Sequence, residues 1–352
     1  MAEIRLELTP KTRFDIIDVT KHIELHHENF FAEYDKTVYC SHHTTAGYLE
    51  QSLCAQLEHS SDSVKNFLHP FQELFPPRAN YTHDMMHLRS ELSEEQKLVE
   101  PLNGDSHLTY ISSGLENCVT YQNTPNTPVY FIDLDGVCDG RARQRKTTVF
   151  GYNKEELVGI VPLAIPVSNH RIDSVNLRDA RLGIFEQLEE QVKKHGIQKG
   201  RIEIVLAPEE DHVALTVNEF ETLLMQHDVA EILRNPMRFM AQKSWNMLRD
   251  PKTVPIKMLN YAKYDLVHVV NKTLDKLNMS SSMVGKGIQN VLASKAAKAL
   301  RMKRVVSFLV TESPNQNGPG IVSGTYQSPI MIQWNSKSNN QRRLEASIYR
   351  FI

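Results

Sequence analysis

The stretch Tyr39-Cys40-Ser41-His42-His43-Thr44-Thr45-Ala46-Gly47 joins an apolar run to a polar loop. Val38 and Cys40 alternate with their neighbours as in a strand, and two histidines and two threonines follow where that strand ends. Binding and catalytic groups concentrate at such strand ends, because the sheet fixes the loop while leaving it accessible. The stretch therefore predicts both a sheet and one edge of a functional site.

Two further histidines lie in equally polar surroundings, His83 within residues 80–84 and His107 within residues 103–108. Ten of the 15 histidines fall at or before His107, so imidazole chemistry belongs to the first part of the chain. His43, His83 and His107 would suffice to bind zinc or another divalent metal and leave a fourth position open. The alternative is that they are ordinary polar histidines, since the three lie on separate, distant segments.

Composition narrows the class of protein. A chain of 352 residues with 41% hydrophobic and 23% charged residues is typical of a soluble globular protein with two domains. The net charge of -2, without a long Lys/Arg run, argues against a nucleic-acid partner. No apolar run reaches the roughly 20 residues that span a membrane. Four cysteines without a CxxC pair suggest free thiols, so we expect a cytoplasmic protein.

The predicted elements repeat along the chain. In the first part we expect strands at 4–8, 37–40, 108–111, 118–121, 129–134 and 141–150, and helices at 19–31, 49–57 and 64–74. In the second part we expect strands at 172–177, 202–206, 213–219, 304–310, 329–334 and 343–351, and helices at 184–192, 220–233 and most of 229–300. This recurrence predicts a tandem duplication. The units would be residues 1–151 and 164–352, with a connector at 152–163 and a helical insertion around 229–300.

Motifs in both parts resemble the YjbQ family, whose members are often named secondary thiamine-phosphate synthases. The first unit carries His43-Thr44-Thr45-Ala46, Tyr81-Thr82-His83, Ser106-His107-Leu108 and a closing hairpin over 129–149. The second carries residues 214–219 ending in Asn218-Glu219, then His227-Asp228, Gly324-Thr325-Tyr326-Gln327 and Arg342-Arg343-Leu344. Each unit also departs from the family pattern. Ser52 replaces the glutamate in the first unit, and acidic residues around Glu210 replace the histidine in the second.

The resemblance implies an α+β fold of two tandem YjbQ-like units, each a two-layer antiparallel β-sandwich with flanking helices. It also implies a metal-dependent enzyme, similar to thiamine-phosphate synthase-type transferases, that acts on a small phosphorylated or heterocyclic substrate. The expected cofactor is a divalent transition metal, zinc first, on His43, His83 and His107. Family members form trimers, so a homo-oligomer is implied, although a tandem chain can instead pair its own halves. The alternative function is a non-catalytic ligand-binding or scaffold protein derived from a duplicated domain.

Other candidate residues have a functional and a structural interpretation. Arg141 and Arg143 alternate on the predicted closing strand with Arg145, and would bind phosphate or form a solvated face. Asp133 and Asp135 would act in catalysis, bind metal or cap a turn. Thr44 and Thr45 would hydrogen-bond an anion or cap a helix. Tyr326 and Gln327 would contact substrate or belong to the core.

The two incomplete motif sets complement each other. The first unit keeps the histidines, while the second keeps Asn218, Glu219 and residues 324–327. We therefore predict that the half-sites meet in one composite site at the junction of the units, with Glu219 as a catalytic carboxylate. Alternatively, Glu219 merely begins a helix, where a carboxylate favours the positive end of the dipole.

Overall fold

A computed structural model describes residues 1–234, 239, 300–312 and 318–352. The predicted helical insertion around 229–300 lies outside the described residues, apart from its two ends. No helix among the described residues is long and apolar enough to cross a membrane.

The first half of the chain forms two main antiparallel sheets. Its strands are β1 (Ala2–Leu8), β2 (Asp15–Asp18), β3 (Lys36–Ser41), β4 (Ala46–Gly47), β5 (Cys118–Gln122), β6 (Tyr130–Asp133), β7 (Val137–Cys138), β8 (Arg141–Ala142) and β9 (Arg145–Tyr152). The larger sheet has the order β1-β9-β3-β5 and the smaller one the order β2-β6-β4, while β7 and β8 form a separate hairpin. The functional loop predicted from sequence lies between β3 and β4, where the chain passes from the larger sheet to the smaller.

The second half of the chain repeats this strand order. Its strands are β10 (Glu155–Pro166), β11 (Asp173–Asn176), β12 (Gly200–Leu206), β13 (Val213–Asn218), β14 (Val305–Glu312), β15 (Pro319–Ile321), β16 (Ser328–Gln333) and β17 (Gln341–Phe351). The larger sheet has the order β10-β17-β12-β14-β15 and the smaller one β11-β16-β13. Apart from the added edge strand β15, the connectivity equals that of the first half. The expected α+β fold of antiparallel sheets with flanking helices is confirmed.

The repetition extends to single residues. Leu134 N–H donates to Thr45 O in the first half, and Trp334 N–H donates to His212 O in the second. Two buried arginines occupy matching positions on β9 and β17. Arg145 donates through Nη2 to Asp135 O at 2.7 Å, and Arg342 donates through Nη2 to Asn335 O at 2.6 Å. Such agreement is expected of a duplicated chain, while the proposed unit boundaries stay a prediction.

Eight α-helices occur among the described residues. They are α1 (Val19–His26), α2 (Phe30–Glu33), α3 (Gln51–Gln56), α4 (Ser61–Leu74), α5 (Glu94–Val99), α6 (Gly104–Ser113), α7 (Ile184–Lys194) and α8 (Ala230–Arg234). A π-helical stretch, Leu223–Val229, leads directly into α8. The predicted helix at 19–31 is thus two shorter helices, α1 and α2.

The strand predicted at 108–111 is wrong, because those residues lie in α6. All ten residues of α6 are buried, the polar ones included, so its polar and apolar side chains are not divided between a solvent face and a core face as in a surface helix. The left-handed backbone of Gly114, at φ 77°, ends the helix in the manner of a glycine C-cap. The correction matters for function, since His107 lies on this helix.

Two other expectations change. Most of the predicted connector at 152–163 belongs to β10, which pairs with β17 along its whole length. The predicted closing strand at 141–150 is divided into β8 and β9, because the chain turns after Ala142. Arg141, Arg143 and Arg145 therefore do not share one strand face.

Each half has its own hydrophobic core, and a further core joins them. This joining core packs Leu74, Tyr81 and Leu108 of the first half with Leu224 and Ile330 of the second. Arg301 N–H also donates to Ser112 O at the end of α6. The halves are consequently packed together beside the helix that carries His107.

Candidate functional site

His83 and His107 meet at the junction between the halves. Their ring centroids are 4.9 Å apart with an edge-to-face orientation, and the two residues are 0% and 1% exposed. His107 is fixed by α6, and the backbone N–H of His83 donates to Asp228 Oδ2 at 2.9 Å. Asp228 belongs to the π-helical stretch of the second half, so both halves position these two imidazoles.

Glu219 of the second half completes a group of three. One ligand atom from each of His83, His107 and Glu219 can be chosen so that all three lie within 4.8 Å of one another. Glu219 directly follows β13, where the strand leaves the smaller sheet. The group thus combines side chains from both halves of the chain, as the prediction of a composite site requires, and the composite site itself stays a prediction.

The ring of His107 is oriented by Asn218. Its Nδ1 lies 2.7 Å from Asn218 Oδ1, an acceptor, so Nδ1 carries a proton. Nε2 then carries no proton, and its lone pair is available to a ligand. This atom lies 3.6 Å from Glu219 Oε2. Burial, together with the charge of His83, lowers the pKa of His107 to about 4, which keeps the ring neutral near pH 7. A neutral imidazole with an oriented lone pair is a competent metal ligand.

The ring of His83 is oriented by Glu221. Its Nδ1 lies 3.1 Å from Glu221 Oε2, and this carboxylate also accepts from Leu224 N–H. Burial acts to lower the pKa of His83, but the hydrogen bond to Glu221 and the charge of Glu219 outweigh it, so the pKa is raised. His83 therefore keeps a proton on Nδ1 through its contact with Glu221.

Arg89 connects the histidines to a surface cavity. Its Nη2 donates to Glu219 Oε1 at 2.9 Å, and its Nε donates to Glu91 at 2.7 Å. The cavity has a volume of ≈ 400 Å³ and is lined by Arg89, Ser90, Glu91, Glu219, Phe220, Glu221, Thr222, Thr325, Tyr326 and Ser328. It is large enough for a small molecule. Glu219 and Glu221 both line the cavity and contact the histidines.

His43 is not part of the group of three. Its Nε2 accepts from the backbone N–H of Lys146 at 2.7 Å, and its Nδ1 lies 3.5 Å from Arg145 Nη1. The group of three therefore contains Glu219 and not His43, whose Nε2 is already used. The matching position beside Arg342 in the second half is occupied by Glu210, whose carboxylate accepts from that arginine at 2.9 Å.

This location makes His43 a source of acid sensitivity. Burial, reinforced by the charge of Arg145, lowers its pKa to about 3, whereas an unfolded chain protonates histidine near pH 6.5. The unfolded state therefore binds more protons below pH 6.5, and the free energy of unfolding falls as the pH drops toward 3. Between pH 7 and pH 5 we expect a loss of about 2 kcal/mol from this residue.

Urea unfolding of His43→Gln at both pH values measures this contribution, because the amide oxygen still accepts the Lys146 N–H. His69→Gln is the matched control, since the His69 side chain is 58% exposed. Equal pH dependence in wild type and His43→Gln would show that His43 does not titrate in this way.

Asp133 and Asp135 lie under the functional loop, away from the cavity lining. Asp133 is 0% exposed and accepts from Arg145 Nε at 2.6 Å and from its Nη2 at 2.8 Å. Asp135 is also 0% exposed, and it pairs with Arg143 while Arg13 Nη1 lies 3.6 Å away. Both carboxylates thus form ion pairs with arginines. Asp135 in addition accepts from Asn103, a neighbour of His83.

The remaining predicted residues are divided between the loop and the cavity. Thr44 and Thr45 accept through their backbone oxygens from Asn218 Nδ2 and Leu134 N–H. Gln327 donates to the backbone oxygens of Ser41 and His43, and so clamps the loop from the second half. Tyr326 lines the cavity and is 68% exposed. Arg141 is exposed in the β7–β8 hairpin.

Sequence reasoning missed Arg89, Asn103 and Glu221. Glu221 lies two residues after Glu219, a spacing that could have marked it, since alternate residues of an extended segment share a face. Arg89 and Asn103 gave no such signal, because each is an isolated polar residue in an irregular region. Only the packing of distant segments assigns them to the site.

Comparisons with known proteins give matches among solved structures only; no protein-family model and no curated protein matches the chain. One match is a YbjQ-like protein of unknown function from Sulfolobus solfataricus P2, at 15% identity and TM-score 0.32, covering 56% of this chain and 99% of that one. Another is an uncharacterised protein of the YjbQ/UPF0047 family from Clostridium acetobutylicum, at 14% identity and TM-score 0.27, covering 53% and 98%.

These two matched structures are YjbQ-like. They agree with the resemblance predicted from the motifs, and each corresponds to about half of this chain. A hypothetical protein from Aeropyrum pernix K1 matches in the same way, at 13% identity and TM-score 0.31, covering 54% of this chain and 98% of that one.

Proposed function

We propose that this chain is an enzyme that depends on a divalent transition metal held by His83, His107 and Glu219. The observation that supports the proposal is the orientation of both imidazoles. Asn218 and Glu221 engage the Nδ1 atoms of His107 and His83. The Nε2 atom of His107 faces Glu219 Oε2 at 3.6 Å, and one ligand atom of His83 lies within 4.8 Å of those of His107 and Glu219. Outer hydrogen bonds of this kind fix metal-ligating histidines in proteins. Two imidazoles and a carboxylate suit a first-row transition ion.

A divalent ion at this position would supply Lewis-acid stabilisation of charge on a bound substrate. The chain's own residues would bind and orient that substrate. Arg89 holds Glu219 in place through Nη2, and Tyr326 offers an exposed ring at the rim of the cavity. Glu219, which is 17% exposed, lies between the cavity and the buried histidines.

The charges around the cavity bear on the substrate class. Arg89 is the guanidinium in the lining, and it is paired with Glu91 and Glu219, while Glu221 adds a further carboxylate. Arg141 and Arg143, the predicted phosphate-binding residues, are not among the lining residues. Of the two substrate classes expected from the resemblance, the lining therefore favours a neutral or cationic heterocycle over a phosphorylated compound. A thiamine-phosphate synthase-like transfer stays a prediction.

The proposal is tested by elemental analysis of the purified protein. We expect about one transition metal per chain, removed by a chelator and restored by adding the divalent ion back. Thermal-shift screening of small heterocycles and their phosphorylated counterparts then tests the substrate class in the metal-loaded protein. A folded wild-type protein that contains no metal and binds none at micromolar concentration would disprove the metal-dependent function.

One observation favours the second candidate, a non-catalytic scaffold. The contacts His83–Glu221 and Arg89–Glu219 each join the first half to the second, so they would hold the halves together without any ligand. In that case the chelated and metal-loaded proteins would unfold at the same temperature. A clear rise in unfolding temperature on adding metal would favour the enzyme instead, because only ligands that prefer the folded state stabilise it.

A further inference from the structure

Asn103 occupies the N-cap position of α6 without capping the helix through its side chain. Asparagine at this position usually accepts a hydrogen bond from a backbone N–H of the first turn. Here the side chain, which is 5% exposed, instead points to Asp135 and His83. The Asn103 side chain therefore contacts residues of the site instead of capping the helix.

The orientation of the Asn103 amide is determined by Asp135. The Asp135 carboxylate is acceptor-only, so the Asn103 atom 2.9 Å from its Oδ2 must be the donor Nδ2. Asp135 is itself held by Arg143. The carbonyl oxygen, Oδ1, is consequently turned toward His83 Nε2, at 3.3 Å.

Acceptor oxygens thus face both ring nitrogens of His83. Glu221 Oε2 lies at Nδ1 and Asn103 Oδ1 at Nε2, and a His83 ring that binds a metal through Nε2 keeps a single proton, on Nδ1. With that proton directed to Glu221, the lone pairs of Nε2 and Oδ1 point toward the same region. Two ligands of one tetrahedral zinc ion lie about 3.3 Å apart, so both atoms can bind the same cation.

We propose that Asn103 Oδ1 is a fourth protein ligand of the metal, and that Asp135 is the positioning residue that turns this oxygen toward it. The inference rests on the proposed function and refines it. The metal would then be bound by two imidazole nitrogens and two oxygens. As Lewis bases, these four ligands are harder than the three histidines expected from the sequence. Carbonyl and carboxylate oxygens shift preference from zinc toward ions such as Mn²⁺.

Metal affinities of full-length variants test the proposal, with Mn²⁺ and Zn²⁺ titrated separately against a chelator. In Asn103→Leu we expect the Mn²⁺ affinity to fall about 10- to 100-fold, and the Zn²⁺ affinity to fall less. The exchange Asn103→Asp/Asp135→Asn keeps an oxygen at residue 103 with a donor facing it, and should restore Mn²⁺ binding to within about tenfold of wild type. Asp135→Asn should weaken Mn²⁺ binding by about tenfold, because an asparagine at 135 can donate as well as accept and so no longer fixes the orientation of the Asn103 amide.

Asn117→Leu is the matched control, because Asn117 is also a buried asparagine of the first half, at 2% exposure. Wild-type affinities in Asn103→Leu would overturn the proposal and leave the metal site intact. Equal losses for both ions without rescue by Asn103→Asp/Asp135→Asn would also overturn it, as they would indicate a structural role. If Asn103→Leu does not fold, an unchanged Mn²⁺ affinity in Asp135→Asn overturns it. A wild type that binds no metal would refute the proposed function itself.

Discussion

Replacing His107 by alanine is expected to lower the affinity for a divalent metal by more than about 100-fold, because it removes a direct ligand, whereas losing an outer hydrogen bond already costs 10- to 100-fold. Glu219→Gln should have a similar effect, since the amide removes the negative charge while preserving size. Isothermal titration of chelator-treated protein measures both changes. Far-UV circular dichroism shows whether each variant is folded.

Two further variants make this test selective. His43→Ala should keep its metal, because His43 Nε2 accepts from Lys146 N–H and Glu219 completes the group. His69→Ala is the surface control on α4. Loss of metal in His43→Ala together with retention in Glu219→Gln would mean that the three histidines form the site after all.

Arg145→Met is expected to lower the free energy of unfolding by about 3–5 kcal/mol. The substitution leaves Asp133 buried at 0% exposure without the two hydrogen bonds from the guanidinium. It also removes the donor to Asp135 O that fixes the loop after β6. Urea denaturation followed by circular dichroism measures the loss.

The second half supplies the comparison for this variant. Arg342→Met removes the matching arginine, but Glu210 keeps Lys337 Nζ at 2.7 Å, so no carboxylate is left unpaired. We expect a smaller loss for Arg342→Met than for Arg145→Met. The double variant Asp133→Asn/Arg145→Met should recover part of the stability. Equal losses in both halves would show that the unpaired charge of Asp133 is not the cause.

The repeated order of strands was predictable from the sequence because strand and helix periodicities are local. Alternating apolar residues predict the strands β1 and β12, and an amphipathic pattern predicts the helix α7. The recurrence of such strands and helices in the same order predicts the duplication. α6 escaped prediction because its polar residues are buried as well, so its sequence shows no amphipathic pattern. The sequence also identified His83, His107 and Glu219 as separate members of complementary motif sets.

Their assembly into one site was decided by tertiary structure. Glu219 belongs to the group of three because packing of the second half against α6 brings its carboxylate to His107. His43 does not belong to it, and its ring accepts from a backbone N–H. Arg89, Asn103 and Glu221 enter the site for the same reason. Asn103 is 32 residues from Asp135, and His83 is 138 residues from Glu221. The sequence alone therefore determined which segments carry the chemistry, and the packing of the two halves determined which side chains share it, because contacts over such separations leave no local pattern.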